Sequence, residues 1–184
     1  MFISVVIPTY NRRSILEKCL QALEHQDPSG EIENYEVVVV DDGSSDGTPD
    51  WLRQEAARFP HIRLVEQQHG GPAEGRNRGV DLAKGDVIVF IDSDLVVTSS
   101  FLASHARALS RRWNQQGNRL CFTYGAVINT ANFEQPTAER HKLRDLSWAY
   151  FATGNVAIDR DVLERSGLFD LGFRLYGWED LELG

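Results

Sequence analysis

The sequence predicts an α/β fold in which a mainly parallel sheet carries helices on both faces. Strand-like and helix-like segments alternate along the first half of the chain. The strand-like segments are apolar on both faces, as expected where helices cover both sides of a parallel sheet. Polar residues collect where these strands end, and ligands of such sheets bind at that edge.

The first strand and helix are predicted from local signals. Residues 2–8 form a compact apolar run that ends in a proline, which indicates a buried strand. Asn11 is expected to cap a helix with five apolar side chains on one face. Those side chains are Ile15, Leu16, Cys19, Leu20 and Leu23. Residues 35–40, which include four successive valines, predict the second strand.

The second helix and third strand follow the same order. Thr48 followed by Pro49 is a favourable N-cap and first-turn pair, and the helix that they begin is expected to reach Phe59. Residues 62–65 then predict a third strand. The alternation of strand and helix therefore continues through this part of the chain.

The third helix, fourth strand and fourth helix complete the regular part. Residues 72–83 predict a helix that Gly85 is expected to end as a C-terminal cap. Residues 87–91 are apolar throughout and predict a strand buried on both faces. Ser99 or Ser100 is expected to cap a helix that runs toward Trp113.

The second half is less regular. Residues 120–128 predict a strand, and residues 129–145 a polar, irregular stretch. Residues 154–158 predict a short strand, followed by a helix that Asp159 caps. Residues 177–181 have the composition of a loop that enters another helix.

The composition is that of an ordinary soluble globular protein, with 42% hydrophobic and 25% charged residues in a length that suits one domain. The net charge of −8 argues against an extended nucleic-acid surface. Cys19 and Cys121 lie in no CxxC pair and are expected to be small core residues in a reducing compartment. No segment is typical of a signal peptide or a membrane span. We therefore expect a cytoplasmic location, including peripheral attachment to the inner membrane face.

Two carboxylates, Asp92 and Asp94, flank Ser93 directly after a buried strand. Hard oxygen ligands that are open to water suit Mg²⁺ or Mn²⁺ bound together with phosphate oxygens. A plain turn at a strand end uses the same residue types, so this tripeptide alone does not distinguish a metal site from a turn.

Three further groups have two interpretations each. Asp41 could accept a hydrogen bond from a base or ribose, or belong to a turn. Arg76, near the start of a predicted helix, could bind an anion or be a solvated helical arginine. Glu179 and Asp180 could be first-turn acids of a helix, or supply a general base near a sugar that packs against Trp178.

Taken together, these segments resemble family 2 glycosyltransferases in order and spacing. The matching segments are residues 5–12, 39–48, 75–79 and 90–94. A late set, residues 153–155, 167–170 and 177–184, is similar to the acceptor-side motif of galactosyltransferase-like and chondroitin-polymerase-like enzymes. The resemblance implies one GT-A domain over residues 1–184, a Rossmann-like fold for nucleotide-diphospho-sugar transfer. Residues up to about 98 would bind the nucleotide sugar, and residues from about 99 onward would form the acceptor side.

The resemblance also implies a donor site for a nucleotide-diphosphate sugar, most commonly a UDP-sugar. Its substrate-binding residues would be Pro8, Thr9, Tyr10, Asn11, Asp41, Arg76, Asp92 and Ser93. Asp94 would ligate a divalent metal, Mn²⁺ or Mg²⁺, and Asp92 would face the ribose or the metal. The metal would offset the charge that develops on the diphosphate leaving group.

On the acceptor side, the resemblance implies catalytic roles for two late carboxylates. Asp180 would accept the proton of the attacking hydroxyl of a glycan or other acceptor, while Glu179 positions that acceptor. Trp178 would complete the substrate-binding set. In-line attack would invert the anomeric centre, although some relatives with a similar late motif retain its configuration.

Two departures from the family pattern and two alternatives stand beside this interpretation. The chain ends at Gly184, directly after the late motif, so we expect a C-terminal truncation, and Glu74 would repel a diphosphate unless it points to solvent. A nucleotidyltransferase would share the metal and the sheet, but its usual glycine-rich loop does not follow the first strand. A catalytically impaired module that binds nucleotide sugars or glycans is the other alternative.

Overall fold

The computed structural model describes residues 1–128 and 153–172. Its strands are Phe2–Thr9 (β1), Asn34–Asp41 (β2), Ile62–Glu66 (β3), Val87–Ile91 (β4), Phe122–Tyr124 (β5) and Asn155–Asp159 (β6). Its helices are Arg13–Glu24 (α1), Thr48–Gln54 (α2), Pro72–Leu82 (α3), Phe101–Gln116 (α4) and Arg160–Ser166 (α5). The predicted irregular stretch at 129–145 and the predicted helix start at 177–181 lie outside the described residues.

The sheet is mainly parallel, as the sequence predicts. Its strand order is β3-β2-β1-β4-β6-β5. β1 pairs in parallel with β2 and β4, and β2 pairs in parallel with β3. β6 is antiparallel to both of its neighbours, β4 and β5. Among the described strands, β6 therefore runs opposite to the other five. The carboxyl ends of β1, β2, β3 and β4 therefore meet at one end of the sheet.

Helices cover both faces, because alternate side chains of the strands point to opposite sides. Ile3, Val5 and Ile7 of β1 pack on one face in a cluster that also holds side chains of α1, α2 and α4. Val6 packs on the other face in a second cluster, which includes Val80 of α3 and residues of α5. The predicted apolar face of α1 is buried except at Ile15, which is 37% exposed.

Two predicted helix caps are wrong. Arg12, and not Asn11, occupies the N-cap position of α1, because Asn11 adopts a left-handed backbone with φ of 51°. Gly47 precedes α2 at φ of 81°, and Thr48 is the first helical residue. The Thr48 hydroxyl instead donates to Asp46 Oδ1 at 2.6 Å, so both loops use their polar side chains for loop contacts. The caps predicted at Ser100 and Asp159 are at the N-cap positions of α4 and α5.

The ends of two other elements differ from the prediction. α2 ends at Gln54, and turns carry the chain on to Phe59, which is buried edge-on against Trp51. A proline follows Phe59 and disfavours helical backbone at that residue. α3 ends at Leu82, so Gly85 is not its cap. A side chain at Gly85 would lie 2.6 Å from the Ser4 backbone nitrogen, and this close approach to β1 explains the glycine.

Three other expectations can be compared with the described residues. β5 is shorter than the predicted strand at 120–128, because it pairs with β6 only over residues 122–124. Cys19 and Cys121 are free thiols, the first buried and the second partly buried. Burial raises the pKa of the Cys19 thiol, and Asp94 and Asp92 raise it further, so this cysteine is an unreactive core residue. Within the described ranges, no helix is both long and apolar enough to cross a membrane.

Candidate functional site at the carboxyl ends of the parallel strands

The loops that follow β1 and β2 are joined by hydrogen bonds between Asn11 and two serines. The Asn11 backbone N–H donates to Ser44 Oγ at 2.9 Å, and the Ser45 N–H donates to Asn11 Oδ1 at 2.7 Å. Asn11 does not line the cleft described below. Its side chain holds the two loops together, and this places Tyr10 and Arg12 on either side of it at the end of the sheet.

Asp42 fixes the loop between β3 and α3. Its Oδ1 accepts from Gln67 Nε2 at 2.7 Å and from the Gly70 N–H at 2.9 Å. Its Oδ2 accepts from the Gly71 N–H at 2.8 Å and lies 2.8 Å from His69 Nδ1. The carboxylate is almost fully buried, and these four contacts use its acceptor capacity. The loop that precedes α3 is therefore held firmly against the end of β2.

Asp41, a predicted substrate-binding residue, is not among the residues that line the cleft, whereas Asp42 is. Asp41 Oδ2 accepts from the Ser44 N–H at 2.9 Å, and its Oδ1 has no hydrogen-bond partner within the described residues. Strand alternation could have distinguished the two residues. Val37 and Val39 pack against the face that carries α1, and Asp41 has the same parity along β2.

The two carboxylates after β4 are each paired with an arginine from another element. Arg76 of α3 donates from Nη2 to Asp92 Oδ1 at 3.0 Å, and its side chain is 3% exposed. Arg12, before α1, donates from Nη1 to Asp94 Oδ2 at 2.6 Å, in a pair that is 51% and 40% exposed. The Arg76 guanidinium also lies over the Phe169 ring, 5.6 Å from its centroid. Arg76 is thus buried and Arg12 is open to water, whereas both carboxylates are partly exposed, Asp92 at 32% and Asp94 at 40%.

A cleft at this end of the sheet brings most of the predicted donor residues together. Six of its lining residues were predicted: Pro8, Thr9, Tyr10, Arg76, Asp92 and Ser93. Five were not: Arg12, Asp42, His69, Gly71 and Pro72. Gly71 precedes α3 and Pro72 is its first residue. Their position at the start of a predicted helix was the sequence signal that could have placed them at this end of the sheet. Nothing in the local sequence around His69 indicated that it would reach this cleft.

The cleft carries an aromatic pair and an uncommitted hydroxyl. The Tyr10 and His69 rings are stacked, with centroids 4.2 Å apart and an interplanar angle of 26°. Thr9 Oγ1 is buried, and within the described ranges it forms no hydrogen bond, either as donor or as acceptor. Because buried polar atoms are normally paired, Thr9 has capacity for a bound ligand.

Residues from the late part of the chain reach the same site. A side chain at Gly154 would lie 3.4 Å from Asp92 Oδ2, so the start of β6 runs directly beside this carboxylate. The next residue, Asn155, is tied to α4, since His105 Nε2 lies 2.8 Å from its Oδ1. His105 Nδ1 lies 2.7 Å from Thr123 Oγ1 of β5. The segment predicted for the acceptor side therefore adjoins this cleft.

Asp92 and Asp94 are the residues that could hold a divalent metal. Both are partly exposed, and both offer the hard oxygen donors that Mg²⁺ and Mn²⁺ prefer. Among the described residues, no group of three or more His, Cys, Asp or Glu side chains is arranged to hold a metal ion, at this site or at any other. The two carboxylates fit a metal that takes its remaining ligands from phosphate and water. Trp178, Glu179 and Asp180 lie outside the described residues.

Comparisons with known proteins identify relatives of this chain. The chain is 27% identical to the uncharacterized glycosyltransferase YfnE of Bacillus subtilis, over 98% of this chain and 59% of that protein. It is 32% identical to validoxylamine A glucosyltransferase of Streptomyces hygroscopicus subsp. jinggangensis, over 99% of this chain and 50% of that protein. The chain thus spans about half the length of the curated relatives that it matches.

Solved structures share the fold. S. aureus TarS 1–349 superposes with a TM-score of 0.70 at 23% identity, over 100% of this chain and 54% of TarS 1–349. The mannosyltransferase PcManGT of Pyrobaculum calidifontis, solved with GDP-Man and Mn²⁺, gives a TM-score of 0.63 at 28% identity, over 97% of this chain and 49% of its own. These likenesses support the GT-A fold that the sequence resemblance implied. Because the family described as glycosyl transferase family 2 matches residues 4–167, we conclude that this chain belongs to that family.

Proposed function

We propose that this protein transfers a sugar from a UDP-sugar to an acceptor hydroxyl, in a metal-dependent reaction that inverts the anomeric centre. The observation that carries the proposal is the cleft at the ends of β1, β2 and β4. Asp92 lines this cleft, Asp94 lies two residues further along the chain, and each carboxylate is paired with a cleft-lining arginine from another element. Carboxylates for a metal and guanidiniums for phosphate are the groups that a nucleotide diphosphate needs.

The donor nucleoside is assigned to the part of the cleft that Tyr10 and Thr9 line. Tyr10 is 44% exposed and offers a ring face for a base, and Thr9 Oγ1 offers a buried hydroxyl. Asp41 was predicted to contact the base or ribose, but Asp42 is the aspartate of β2 and its following loop that lines the cleft. We therefore assign to Asp42 the indirect task of holding His69 and Gly71 at the nucleoside.

Asp92 and Asp94 would hold the metal, with Arg76 near the diphosphate. When bound, the metal supplies charge that stabilises the diphosphate leaving group. Arg76 is fixed by burial, by its ion pair with Asp92 and by the Phe169 ring. Its guanidinium can therefore stabilise developing negative charge without being reorganised during the reaction.

One relative supports a nucleotide-diphosphate sugar as donor and a divalent metal as cofactor. PcManGT, 28% identical to this chain, was solved with GDP-Man and Mn²⁺. TarS, which supports only the fold at 23% identity, was solved with UDP and with UDP-GlcNAc. We choose UDP because it is the commonest donor nucleotide of the family that the sequence resembles. A cytoplasmic location belongs to the same proposal, supported by the free thiols of Cys19 and Cys121.

The acceptor side rests on the sequence resemblance and on the position of β6. Gly154 and Asn155 lie beside the donor cleft, which supports an acceptor site next to Asp92. We assign Asp180 as the general base, Glu179 as the residue that positions the acceptor, and Trp178 as a contact for a sugar face. Product stereochemistry measured by NMR tests this assignment, since retention would remove Asp180 from the role of base.

Calorimetric titration with UDP, GDP, ADP and CDP, each with and without Mn²⁺, tests the donor assignment. We expect UDP to bind only when Mn²⁺ is present, and we expect Asp94→Asn to abolish this binding. Asp50→Asn is the matched control, because Asp50 is also an exposed aspartate paired with an arginine, 2.7 Å from Arg53. If no nucleotide binds, or if both variants bind equally well, the proposed site is wrong. Binding in a protein that shows no transfer would favour the impaired-module alternative.

A further inference from the structure

Arg12 forms an ion pair with Asp94, the carboxylate that the proposed function assigns to the metal. Its Nη1 lies 2.6 Å from Asp94 Oδ2, which leaves less room on that side for a metal–oxygen bond. Arg12 also lines the cleft, whereas Asp94 itself does not. A cation that binds Asp94 must therefore share this carboxylate with Arg12 or displace it.

The backbone of Arg12 is anchored, but its side chain can change partners. The Arg12 carbonyl accepts from the N–H groups of Ile15 and Leu16, at 3.2 Å and 2.9 Å, in the first turn of α1. Its side chain is 51% exposed, and exposed ion pairs are weak. If the Arg12 side chain left Asp94 and paired with another anion, helix α1 would therefore stay in place.

Arg76 differs from Arg12 in the exposure and in the packing of its side chain. Its side chain is 3% exposed, and its guanidinium packs over the Phe169 ring. Moving it would break enclosed contacts, so Arg76 is the fixed charge of the site and Arg12 the mobile one.

The charges at the site indicate what would displace Arg12. The two arginines neutralise Asp92 and Asp94, so a bare divalent cation meets a pair of carboxylates whose charge is already balanced. A metal that arrives with a nucleotide diphosphate brings phosphate oxygens as well. Those oxygens can accept the guanidinium that leaves Asp94, so the loss of one ion pair is compensated by another.

We infer that Arg12 is a positioning residue that covers Asp94 when no donor is bound and turns to the diphosphate when the metal–nucleotide complex arrives. The inference rests on the proposed function and deepens it. Arg12 thereby makes the binding of metal and nucleotide interdependent, since Mn²⁺ alone competes with the guanidinium and Mn²⁺ with nucleotide recruits it.

The test is the affinity for Mn²⁺ without nucleotide, measured by calorimetry or by the EPR signal of free Mn²⁺. We expect Arg12→Gln to bind Mn²⁺ about fivefold more tightly than the unaltered protein, since an exposed ion pair is worth up to about a factor of five. Arg13→Gln is the matched control, because it removes the same charge one residue away. The Arg13 guanidinium lies over the Trp51 ring, 5.6 Å from its centroid, and we expect no such gain there.

Repeating the titration with UDP separates the inference from the proposed function. In Arg12→Gln we expect UDP to raise the Mn²⁺ affinity by a smaller factor than in the unaltered protein. If Arg12→Gln binds Mn²⁺ no more tightly than Arg13→Gln, the inference is overturned while metal-dependent UDP binding still supports the proposed function. If no protein binds Mn²⁺ even with UDP, both are overturned. A folding defect would lower the affinity, so a gain cannot come from damage to the structure.

Discussion

The inner and outer sides of the site hold similar ion pairs in different surroundings. On the inner side, Asp92 pairs with Arg76 beneath the start of β6 and beside the Phe169 ring. On the outer side, Asp94 pairs with Arg12 in water, and the Tyr10–His69 stack is also partly exposed. The two carboxylates are only two residues apart. The two pairs therefore differ mainly in the burial of their arginines, since Arg76 is 3% exposed and Arg12 is 51% exposed.

The largest expected difference is in folding stability. Asp92→Asn removes the carboxylate from a guanidinium that is 3% exposed, and we expect a loss of about 2 kcal/mol, between the costs of exposed and buried pairs, because Asp92 itself is 32% exposed. Asp94→Asn makes the same chemical change at the exposed pair, and we expect at most about 1 kcal/mol. Urea denaturation of both variants measures the two values. Equal losses would mean that burial does not distinguish the inner pair from the outer one.

The next expected effect concerns the aromatic pair on the outer side. Tyr10→Ala removes the ring face assigned to the base, and stacking of a base on an aromatic ring is worth about 1–3 kcal/mol. We therefore expect UDP affinity in the presence of Mn²⁺ to fall about tenfold. Tyr10→Phe keeps the ring and should bind UDP nearly as well as the unaltered protein. A large loss in Tyr10→Phe would assign the contact to the hydroxyl group instead of the ring.

The smallest expected effect is a dependence of stability on pH on the inner side. Burial lowers the pKa of His105, although its hydrogen bond with Asn155 acts in the opposite direction. The unfolded chain then takes up a proton at higher pH than the folded protein does. The stability that neutral His105 contributes is complete above the ordinary histidine pKa, near 6.5, and is lost as the pH falls below it.

Urea midpoints at pH 7 and pH 5.5 test this expectation in the unaltered protein and in His105→Gln. The unaltered protein should lose more stability between the two pH values than the variant does. Equal losses would show that other groups account for the acid sensitivity, and that the link from α4 to β6 does not depend on the charge of His105.

Much of the fold was predictable because it follows from local periodicity. The apolar runs at 2–8 and 87–91 predict β1 and β4, and helical spacing predicts the buried face of α1. Element ends were harder to predict, because contacts from elsewhere in the chain fix them. Gly85 is the clearest case, since its nearest neighbours are backbone atoms of β1 that lie more than eighty residues earlier.

The site was predictable in its residue types and less so in its contacts. Polar residues at strand ends, together with the family resemblance, selected six of the cleft-lining residues. The role predicted for Asp41 stays a prediction: Asp42 and not Asp41 lines the cleft, and which of two neighbouring residues does so depends on the face of the sheet on which the cleft lies. Asn11 was also predicted to bind substrate, and its side-chain oxygen accepts a hydrogen bond from the Ser45 N–H of the neighbouring loop, a contact that no local pattern indicated.

The sequence by itself determined the α/β order, the buried strands and the positions of the carboxylates, because hydrophobic periodicity and strand-end chemistry are local properties. Tertiary structure alone decided which arginine meets which carboxylate. Arg12 and Asp94 are 82 positions apart, and Arg76 and Asp92 are 16 apart. No local pattern spans such separations. Folding the parallel strands so that their carboxyl ends meet is what brings these charges together.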